Sequence, residues 1–291
     1  MKNEIITHED PKSPISEVFK TLRTNLQFMS NKKDGTISLL VTSTMPGEGK
    51  SWVSSNLGTA FAQTNKKVIL IDSDMRKGRL HSIFETKIFP GLSNYLADES
   101  SKIEDYIIPT EIENLSIIPA GNVPPNPSEL LSSEKMLKGL EDLQKMFDVI
   151  IFDSTPCMLV TDAVIISRIV DATIIVSSHK STKIENLKEV QKNIENVGGK
   201  IAGVIINKVP VSLKKYKSKY YYYGDRTNVE NTKKEEQKPT NQESYIVKEG
   251  NTEWIDVKQE SVEVKEKKDT EKNNQDDDIL NQINEYLDNK E

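Results

Sequence analysis

The sequence predicts an α/β domain with a doubly wound, mostly parallel β-sheet, preceded by one helix and followed by a polar tail. Across about the first 212 residues, short runs of Ile, Leu and Val alternate with segments of helical periodicity. Nearly continuous apolar runs are typical of strands covered on both faces, as in a parallel sheet with helices on each side. The strand–helix alternation favours the doubly wound arrangement, in which ligands bind at the carboxyl ends of the strands.

The apolar runs and the periodic segments give the predicted elements. The strands are residues 37–41, 67–71, 115–118, 149–152, 173–177 and 201–206. The helices are residues 14–29, 51–64, 128–145, 162–169 and 183–196. Ser13 is placed to cap the first helix, and Pro14 suits its first turn. Asn126, followed by Pro127 and Ser128, has the pattern of a second capped helix start.

Charge divides the chain into a core and a tail. Of the 291 residues, those from Gly224 onward carry 19 acidic and 11 basic side chains, whereas the preceding part carries 26 and 28. A highly charged segment with few apolar residues cannot bury a core, so we expect residues 225–291 to be an acidic, disordered tail. The other predicted units are an N-terminal helix segment (1–35), a core domain (36–212) and a tyrosine cluster (213–224).

Composition also bears on the compartment and on partners. Cys157 is the single cysteine, which excludes a disulfide framework and favours a reducing compartment. The sequence has no signal-peptide pattern and no apolar run near the ~20 residues that span a bilayer. We therefore expect a cytoplasmic protein that reaches a membrane only through a partner or a surface patch. A net charge of −6 argues against general nucleic-acid binding.

The segment after the first predicted strand has the pattern of a phosphate-binding loop. Residues 42–51 read Thr-Ser-Thr-Met-Pro-Gly-Glu-Gly-Lys-Ser and open a predicted helix, with Thr44 where the usual pattern has its first glycine. Glycines let backbone N–H groups approach phosphate oxygens, and the helix N-terminus adds its dipole. Lys50 is expected to reach the β- and γ-phosphates, and Ser51 to bind Mg²⁺. The predicted nucleotide-contacting residues here are Pro46, Gly47, Glu48, Gly49, Lys50, Ser51 and Trp52.

Carboxylates follow two other predicted strands. Asp72 and Asp74 lie at alternate positions after the second strand and so face the same way. Asp153 follows the buried run Val-Ile-Ile-Phe, the Walker B pattern that delivers a carboxylate to a metal. Because these strand ends meet at one edge of a parallel sheet, we expect a single Mg²⁺–ATP site there. Ser51 and Asp153 are therefore predicted metal ligands, and Asp72 and Asp74 can hold Mg²⁺ or its waters, or accept a proton.

A cluster of tyrosines separates the core from the tail. Five of the nine tyrosines lie within eight residues, interspersed with lysines; they are Tyr216, Tyr220, Tyr221, Tyr222 and Tyr223. Successive side chains of a strand point to opposite faces, and no apolar partner run lies nearby, so a core role is disfavoured. The cluster is a sticky surface, a stacking platform or a substrate, and the residues alone leave these three open.

Several motifs resemble those of P-loop NTPases of the MinD/ParA type, and within that group those of the bacterial tyrosine kinases (BY-kinases) of capsular and exopolysaccharide synthesis, CpsD/CapB type. Residues 72–77 resemble the family's Walker A′ motif, and residues 122–131 and 161–163 resemble the stretches before a helix and after Walker B. Residues 13–25 resemble its N-terminal oligomerisation helix with the motif E-x-x-R-x-x-R. The matching positions are Glu17, Lys20 and Arg23.

The resemblance covers about residues 11–224 and has two departures. Lys20 replaces the first arginine of the oligomerisation motif, which keeps the charge but loses the bidentate fork. Thr155 stands in the Walker B sequence Asp-Ser-Thr-Pro, where the family usually has Asp-Thr-Pro-Pro. Loss of that proline predicts a less rigid loop after Asp153.

The resemblance implies an ATP- and Mg²⁺-dependent protein-tyrosine autokinase that regulates capsular or exopolysaccharide biosynthesis and export. It implies that the catalytic residues are Lys50, Asp72, Asp74 and Asp153, with Asp72 receiving the phenol proton, and that Ser51, Asp74 and Asp153 hold the metal. It implies further that Asn207 lies beside adenine and that the tyrosine cluster is phosphorylated in trans within a homo-oligomeric ring. It also implies a transmembrane co-polymerase that activates the kinase and recruits it to the inner face of the cell membrane. A cognate tyrosine phosphatase is the remaining expected partner.

Two other functions remain as alternatives. A MinD/ParA-like ATPase switch would share the loop but hydrolyse ATP without labelling itself. Those ATPases carry a signature lysine early in the loop, and Met45 at that position counts against this reading. A non-catalytic adaptor would use the lysines and tyrosines of residues 214–223 to bind a membrane or nucleic acid by charge and stacking. The complete set of Mg²⁺–ATP residues disfavours it.

Overall fold

The computed structural model describes residues 4–29 and 35–210, which form a seven-stranded sheet covered by helices. Neighbouring strands pair in the order β3-β4-β2-β5-β1-β6-β7, and all pairs are parallel except β3 with β4. The predicted doubly wound, mostly parallel fold is confirmed. The strands are β1 (Ile37–Ser43), β2 (Val68–Asp72), β3 (Ile108–Pro109), β4 (Leu115–Ile118), β5 (Val149–Pro156), β6 (Ala172–Ser178) and β7 (Ile201–Asn207).

The described helices range from 4 to 16 residues, and the longest of them precedes β1. They are α1 (Ile6–Glu9), α2 (Pro14–Met29), α3 (Lys50–Ala62), α4 (Leu80–Ile83), α5 (Leu92–Ala97), α6 (Pro127–Leu131), α7 (Glu134–Gln144), α8 (Asp162–Ser167) and α9 (Ile184–Asn196), with a 3₁₀ turn at Ile103–Tyr106. The one-turn helices α1 and α4, the short helix α5 and the two-residue edge strand β3 were not predicted. Segments this short carry no readable periodicity.

The predicted helix 128–145 is wrong, because the chain breaks it into α6 and α7. Ser133 lies between them and caps α7, since its hydroxyl accepts a hydrogen bond from the N–H of Met136 at 3.2 Å. The predicted cap at Ser13 is confirmed by its bond from the N–H of Ser16 at 3.1 Å. The predicted helix start at Asn126 is confirmed, because Asn126 is the N-cap residue of α6 and Pro127 is its first residue. The side chain of Asn126 makes no capping bond, and its amide donates to the carboxylate of Glu129 instead.

Two apolar clusters lie on opposite faces of the sheet and explain the continuous apolar runs. Successive residues of β1 lie on opposite faces of the sheet. Leu39 and Val41 pack in the cluster beneath α2 and α3, whereas Leu40 packs in the cluster on the other face. Helix α3 lies between the sheet and α2, and the ring of Phe19 meets that of Trp52 edge to face at 5.3 Å. This packing fixes the N-terminus of α3 at the carboxyl edge of the central strands.

No helix within residues 4–29 and 35–210 is both long enough and apolar enough to cross a membrane. The predicted tyrosine cluster (213–224) and acidic tail (225–291) lie outside the described residues.

Candidate active site

The predicted phosphate-binding loop connects β1 to α3 at the carboxyl edge of the sheet. Two of its glycines have backbone angles that a residue with a Cβ adopts only at a cost: φ is 81° at Gly47 and 101° at Gly49. A Cβ at Gly49 would also overlap the side-chain amide of Asn207. The backbone N–H groups of the first turn of α3, which begins at Lys50, have no acceptor within the helix and can donate to an anion.

The side chain of Glu48 holds the start of this loop in place. Its buried carboxylate accepts hydrogen bonds from the N–H of Thr44 at 2.8 Å and of Met45 at 3.0 Å, and from the hydroxyls of Thr44 and Thr182. The sequence predicted Glu48 as a nucleotide-contacting residue and did not predict these contacts within the loop. A buried carboxylate needs donors around it, and one of them, Thr182, comes from a part of the chain 134 residues away.

Replacing Glu48 with alanine is expected to lower the free energy of unfolding by about 3 kcal/mol, because two loop N–H groups lose their acceptor inside the protein. Urea unfolding of the nucleotide-free protein measures the effect. Glu48→Gln keeps one acceptor oxygen and is expected to lose about half as much. If Glu48→Ala unfolds at the wild-type urea concentration, the carboxylate does not hold the loop.

Asp153 lies beside the loop residues that the sequence grouped with it. Its Oδ1 accepts a hydrogen bond from the hydroxyl of Ser54 at 3.1 Å. Burial raises the pKa of Asp153 to about 6, while a hydrogen bond from Ser51 and the charge of Lys50 act in the opposite direction. The structure therefore brings the predicted lysine, hydroxyl and Walker B carboxylate together. Thr155, which the sequence placed in a loosened loop, is part of β5, and its carbonyl accepts a bond from Thr42 at 2.7 Å.

Asp72 is a buried carboxylate with unused hydrogen-bonding capacity. It is paired in register with Asp153 on the neighbouring strand. Burial, and next the charge of Asp153, raise the pKa of Asp72 well above its ordinary value. Its Oδ2 accepts from the N–H of Leu80 at 3.0 Å, and its Oδ1 bonds to no described group. A carboxylate in this state is suited to accept a proton.

Asp74 closes the turn that follows β2. Its Oδ1 accepts hydrogen bonds from the N–H groups of Arg76 at 3.2 Å and Lys77 at 2.9 Å. The guanidinium of Arg76 pairs with the buried carboxylate of Asp162 at 3.2 Å, which ties this turn to the start of α8. The charge of Asp74 raises the pKa values of both Asp72 and Asp153, so it lies within electrostatic reach of both.

These residues fit a magnesium–nucleotide complex. Mg²⁺ in such sites is held by one or two carboxylates together with phosphate oxygens and water. In the part of the chain that the structure describes, no three His, Cys, Asp or Glu side chains enclose a metal by themselves. Ser51, Asp74 and Asp153 would supply the few protein oxygens that such a complex needs, and Lys50 and the loop N–H groups would supply donors for phosphate.

Other predicted site residues lie elsewhere or serve other contacts. The ring of Trp52 packs on Phe19 of α2, so this side chain supports the helix pair. Asn207, expected beside adenine, donates from its amide to the carbonyl of Glu48 at 2.9 Å. The predicted tyrosine sites are outside the described residues.

The three predicted oligomer-contact residues lie on α2, away from the carboxylates. Glu17 and Lys20 form an ion pair with each other at 2.6 Å. The guanidinium of Arg23 donates to the carbonyl of Ala60 in the same chain at 2.9 Å, and its Nε bonds to no described group.

The raised pKa of Asp153 predicts a stability effect. The folded state binds the proton of Asp153 more tightly than the unfolded state does. The free energy of unfolding therefore falls as pH rises from about 4 through 6 and this proton is lost. At pH 7.5 the free energy of unfolding of Asp153→Asn is therefore expected to be about 3 kcal/mol higher than that of wild type, and this difference should shrink toward pH 4. Urea unfolding of the chelator-treated proteins between pH 4 and pH 7.5 measures the difference. The exposed Asp105→Asn serves as control, and a pH-independent gain would contradict the cause given.

Known proteins with similar sequences match about three quarters of the chain. A model of an AAA domain matches residues 38–205. The CapB protein of Staphylococcus aureus is 39% identical over 222 residues, 76% of this chain and 95% of that protein. The tyrosine-protein kinase YwqD of Bacillus subtilis is 36% identical over 228 residues, 78% of this chain and 94% of that protein. Both alignments span nearly the whole relative.

A solved kinase domain has the same fold. The kinase domain of the Escherichia coli tyrosine kinase ETK superposes with a TM-score of 0.68 at 31% identity, covering 72% of this chain and 81% of that one.

Proposed function

Because the chain belongs to the bacterial tyrosine kinases, we propose that it is an ATP-dependent autokinase that phosphorylates its own tyrosine cluster. The observation that carries this proposal is the state of Asp72. Asp72 is buried, its pKa is raised, and one of its carboxylate oxygens bonds to no described group. It lies beside Asp153, whose pKa is raised by burial while Ser51 and Lys50 act in the opposite direction. A phenol needs such an acceptor at the place where phosphate would be transferred.

The chemistry divides among a few side chains. Bound Mg²⁺–ATP supplies the phosphoryl group and a metal charge that neutralises the phosphates. Lys50 and the loop N–H groups hold the phosphates, and Ser51, Asp74 and Asp153 hold the metal. A phenol with a pKa of ~10 is a weak nucleophile at neutral pH. Asp72 takes its proton as the phenol oxygen bonds to phosphorus and the bond to ADP breaks.

We propose that the phosphorylated tyrosine belongs to a neighbouring copy in a ring. Helix α2 supports this, because apolar side chains on it face solvent: Ile15 is 44% exposed, Val18 53% and Phe28 83%. The pair Glu17–Lys20 lies on the same helix, and with Arg23 it forms the proposed contact. Each phosphate adds a charge of about −1.5 to −2, so several on one short segment repel one another and favour release of the segment and dispersal of the ring.

We also propose three features that rest on the family resemblance. The kinase regulates capsular or exopolysaccharide synthesis and export, a transmembrane co-polymerase recruits it to the inner face of the cell membrane, and a cognate phosphatase reverses its phosphorylation. Co-purification of the full chain with the short cytosolic segment of such a co-polymerase tests the second feature. Failure to co-purify, with or without ATP, would remove it.

Incubation of the purified chain with γ-labelled ATP and Mg²⁺ tests the proposed activity. The proposal expects label on tyrosine of the protein. A MinD/ParA-like ATPase switch would instead release all of the label as inorganic phosphate. Changing the five clustered tyrosines to phenylalanine is expected to remove most of the label, and the adaptor alternative predicts no label with either protein.

A further inference from the structure

Two side chains at the end of β7 contact the phosphate-binding loop. The amine of Lys208 donates to the carbonyl of Gly47 at 2.7 Å, and the amide of Asn207 donates to the carbonyl of Glu48 at 2.9 Å. These contacts join segments about 160 residues apart in the sequence. Phosphoryl transfer as derived above assigns no role to Lys208.

The contacts set the orientation of two peptide groups. In a trans peptide the carbonyl and the following N–H point in opposite directions. The carbonyl of Gly47 shares its peptide with the N–H of Glu48, and the carbonyl of Glu48 shares its peptide with the N–H of Gly49. With both carbonyls bound to the end of β7, both N–H groups face the other way. Both residues precede α3, and within the described residues neither N–H donates to a backbone carbonyl.

The backbone at Lys208 is itself held in an uncommon conformation. Its φ is 59°, in the left-handed region that a residue with a Cβ seldom adopts. Its N–H donates to the side-chain oxygen of Asn207 at 2.8 Å, which leaves the amide of Asn207 pointing to the loop. Strained residues of this kind persist where the surroundings hold them, and they cluster at functional sites.

We propose that Lys208, together with Asn207, is a positioning residue that turns the N–H groups of Glu48 and Gly49 toward the phosphates of the nucleotide. The inference rests on the proposed ATP site and adds a role that neither the loop pattern nor the resemblance assigns. Lys208 contacts the loop backbone and acts through it, so we expect its loss to weaken binding of the nucleotide phosphates.

Lys208→Met is expected to raise the Kd of Mg²⁺–ADP about fivefold, because the N–H of Glu48 loses its fixed direction when the carbonyl of Gly47 loses its donor. The Kd of a non-hydrolysable ATP analogue should rise by the same factor, since loop N–H groups cradle the α- and β-phosphates that both ligands share. A simple attraction between the amine and phosphate would weaken the ATP analogue more and would disappear at high salt. Isothermal titration at low and high salt separates these two causes.

Matched variants make the test specific. Lys208→Arg keeps a cationic donor and is expected to restore most of the affinity. Lys208→Gly removes the amine while relieving the left-handed backbone, so it should lose affinity without a lower Tm of the nucleotide-free protein. Lys200→Met changes an exposed lysine just before the opposite end of β7 and should bind like wild type.

The outcomes separate this inference from the proposed function. If the wild-type chain binds neither ADP nor the ATP analogue, the ATP site itself fails. If wild type binds both nucleotides and the Kd values of Lys208→Met and Lys208→Gly equal those of wild type, only the positioning role of Lys208 is overturned. A loss that is larger for the ATP analogue and vanishes at high salt overturns it as well.

Discussion

Replacing Lys50 with methionine is expected to reduce the rate of tyrosine phosphorylation at least about 100-fold. Lys50 is only 9% exposed at the start of α3, and its charge lowers the pKa of Asp153. The same charge is placed to stabilise the phosphates as negative charge shifts toward ADP. Methionine has similar length and no charge, so the helix start should keep its packing. The initial rate of label transfer from γ-labelled ATP measures the effect.

The control for this variant is Lys200→Met, which removes an exposed lysine far from the loop and should phosphorylate at the wild-type rate. Circular dichroism should show the same helix content for both variants. If Lys50→Met keeps more than about a tenth of the wild-type rate, the loop lysine does not carry the charge stabilisation assigned to it.

Replacing Asp72 with asparagine is expected to lower the phosphorylation rate about 10²- to 10⁴-fold while leaving the Kd of Mg²⁺–ADP within about twofold. Asparagine keeps an oxygen that can accept the N–H of Leu80, but it cannot take a proton from the phenol. Burial raises the pKa of Asp72 well above its ordinary value, which makes the wild-type carboxylate a stronger proton acceptor. Single-turnover measurements at saturating ATP isolate this step.

Asp74→Asn is the matched comparison, because Asp74 lies two residues away and is assigned to the metal. Its main effect should be a higher Mg²⁺ requirement, with a rate that recovers at high Mg²⁺. The rate of Asp72→Asn should not recover. If Asp72→Asn proceeds at the wild-type rate, the phenol proton leaves by another route, and the role of Asp72 is structural.

The strands and the carboxylates at their ends could be predicted from the sequence, because both depend on short local patterns. Strands such as β5 are covered on both faces, so their apolar runs are continuous and their polar ends mark the carboxyl edge. Asp153 and Asp72 are therefore visible as the first carboxylates after such runs. The strand–helix alternation predicts that the sheet is parallel, but only the structure shows that β2 and β5 are neighbours and so bring Asp72 and Asp153 together.

The parts that sequence analysis missed depend on distant or competing contacts. Glu48 is held by Thr182 and Asn207 bonds the carbonyl of Glu48, and no local pattern reveals pairs so far apart in the chain. The break between α6 and α7 arises because the hydroxyl of Ser133 caps the second helix. Trp52 follows the loop in sequence but packs on Phe19, because its position on α3 faces α2.

Phosphosite mapping by mass spectrometry tests the central claim most directly. The purified full chain is incubated with ATP and Mg²⁺, alone and with the cytosolic segment of a candidate co-polymerase, and the same samples are prepared from Lys50→Met. We expect phosphate on tyrosines within residues 216–223 of the wild-type protein and none there in the variant. Wild-type protein without phosphate in this segment under either condition would contradict it, as would equal phosphorylation of the Lys50→Met protein.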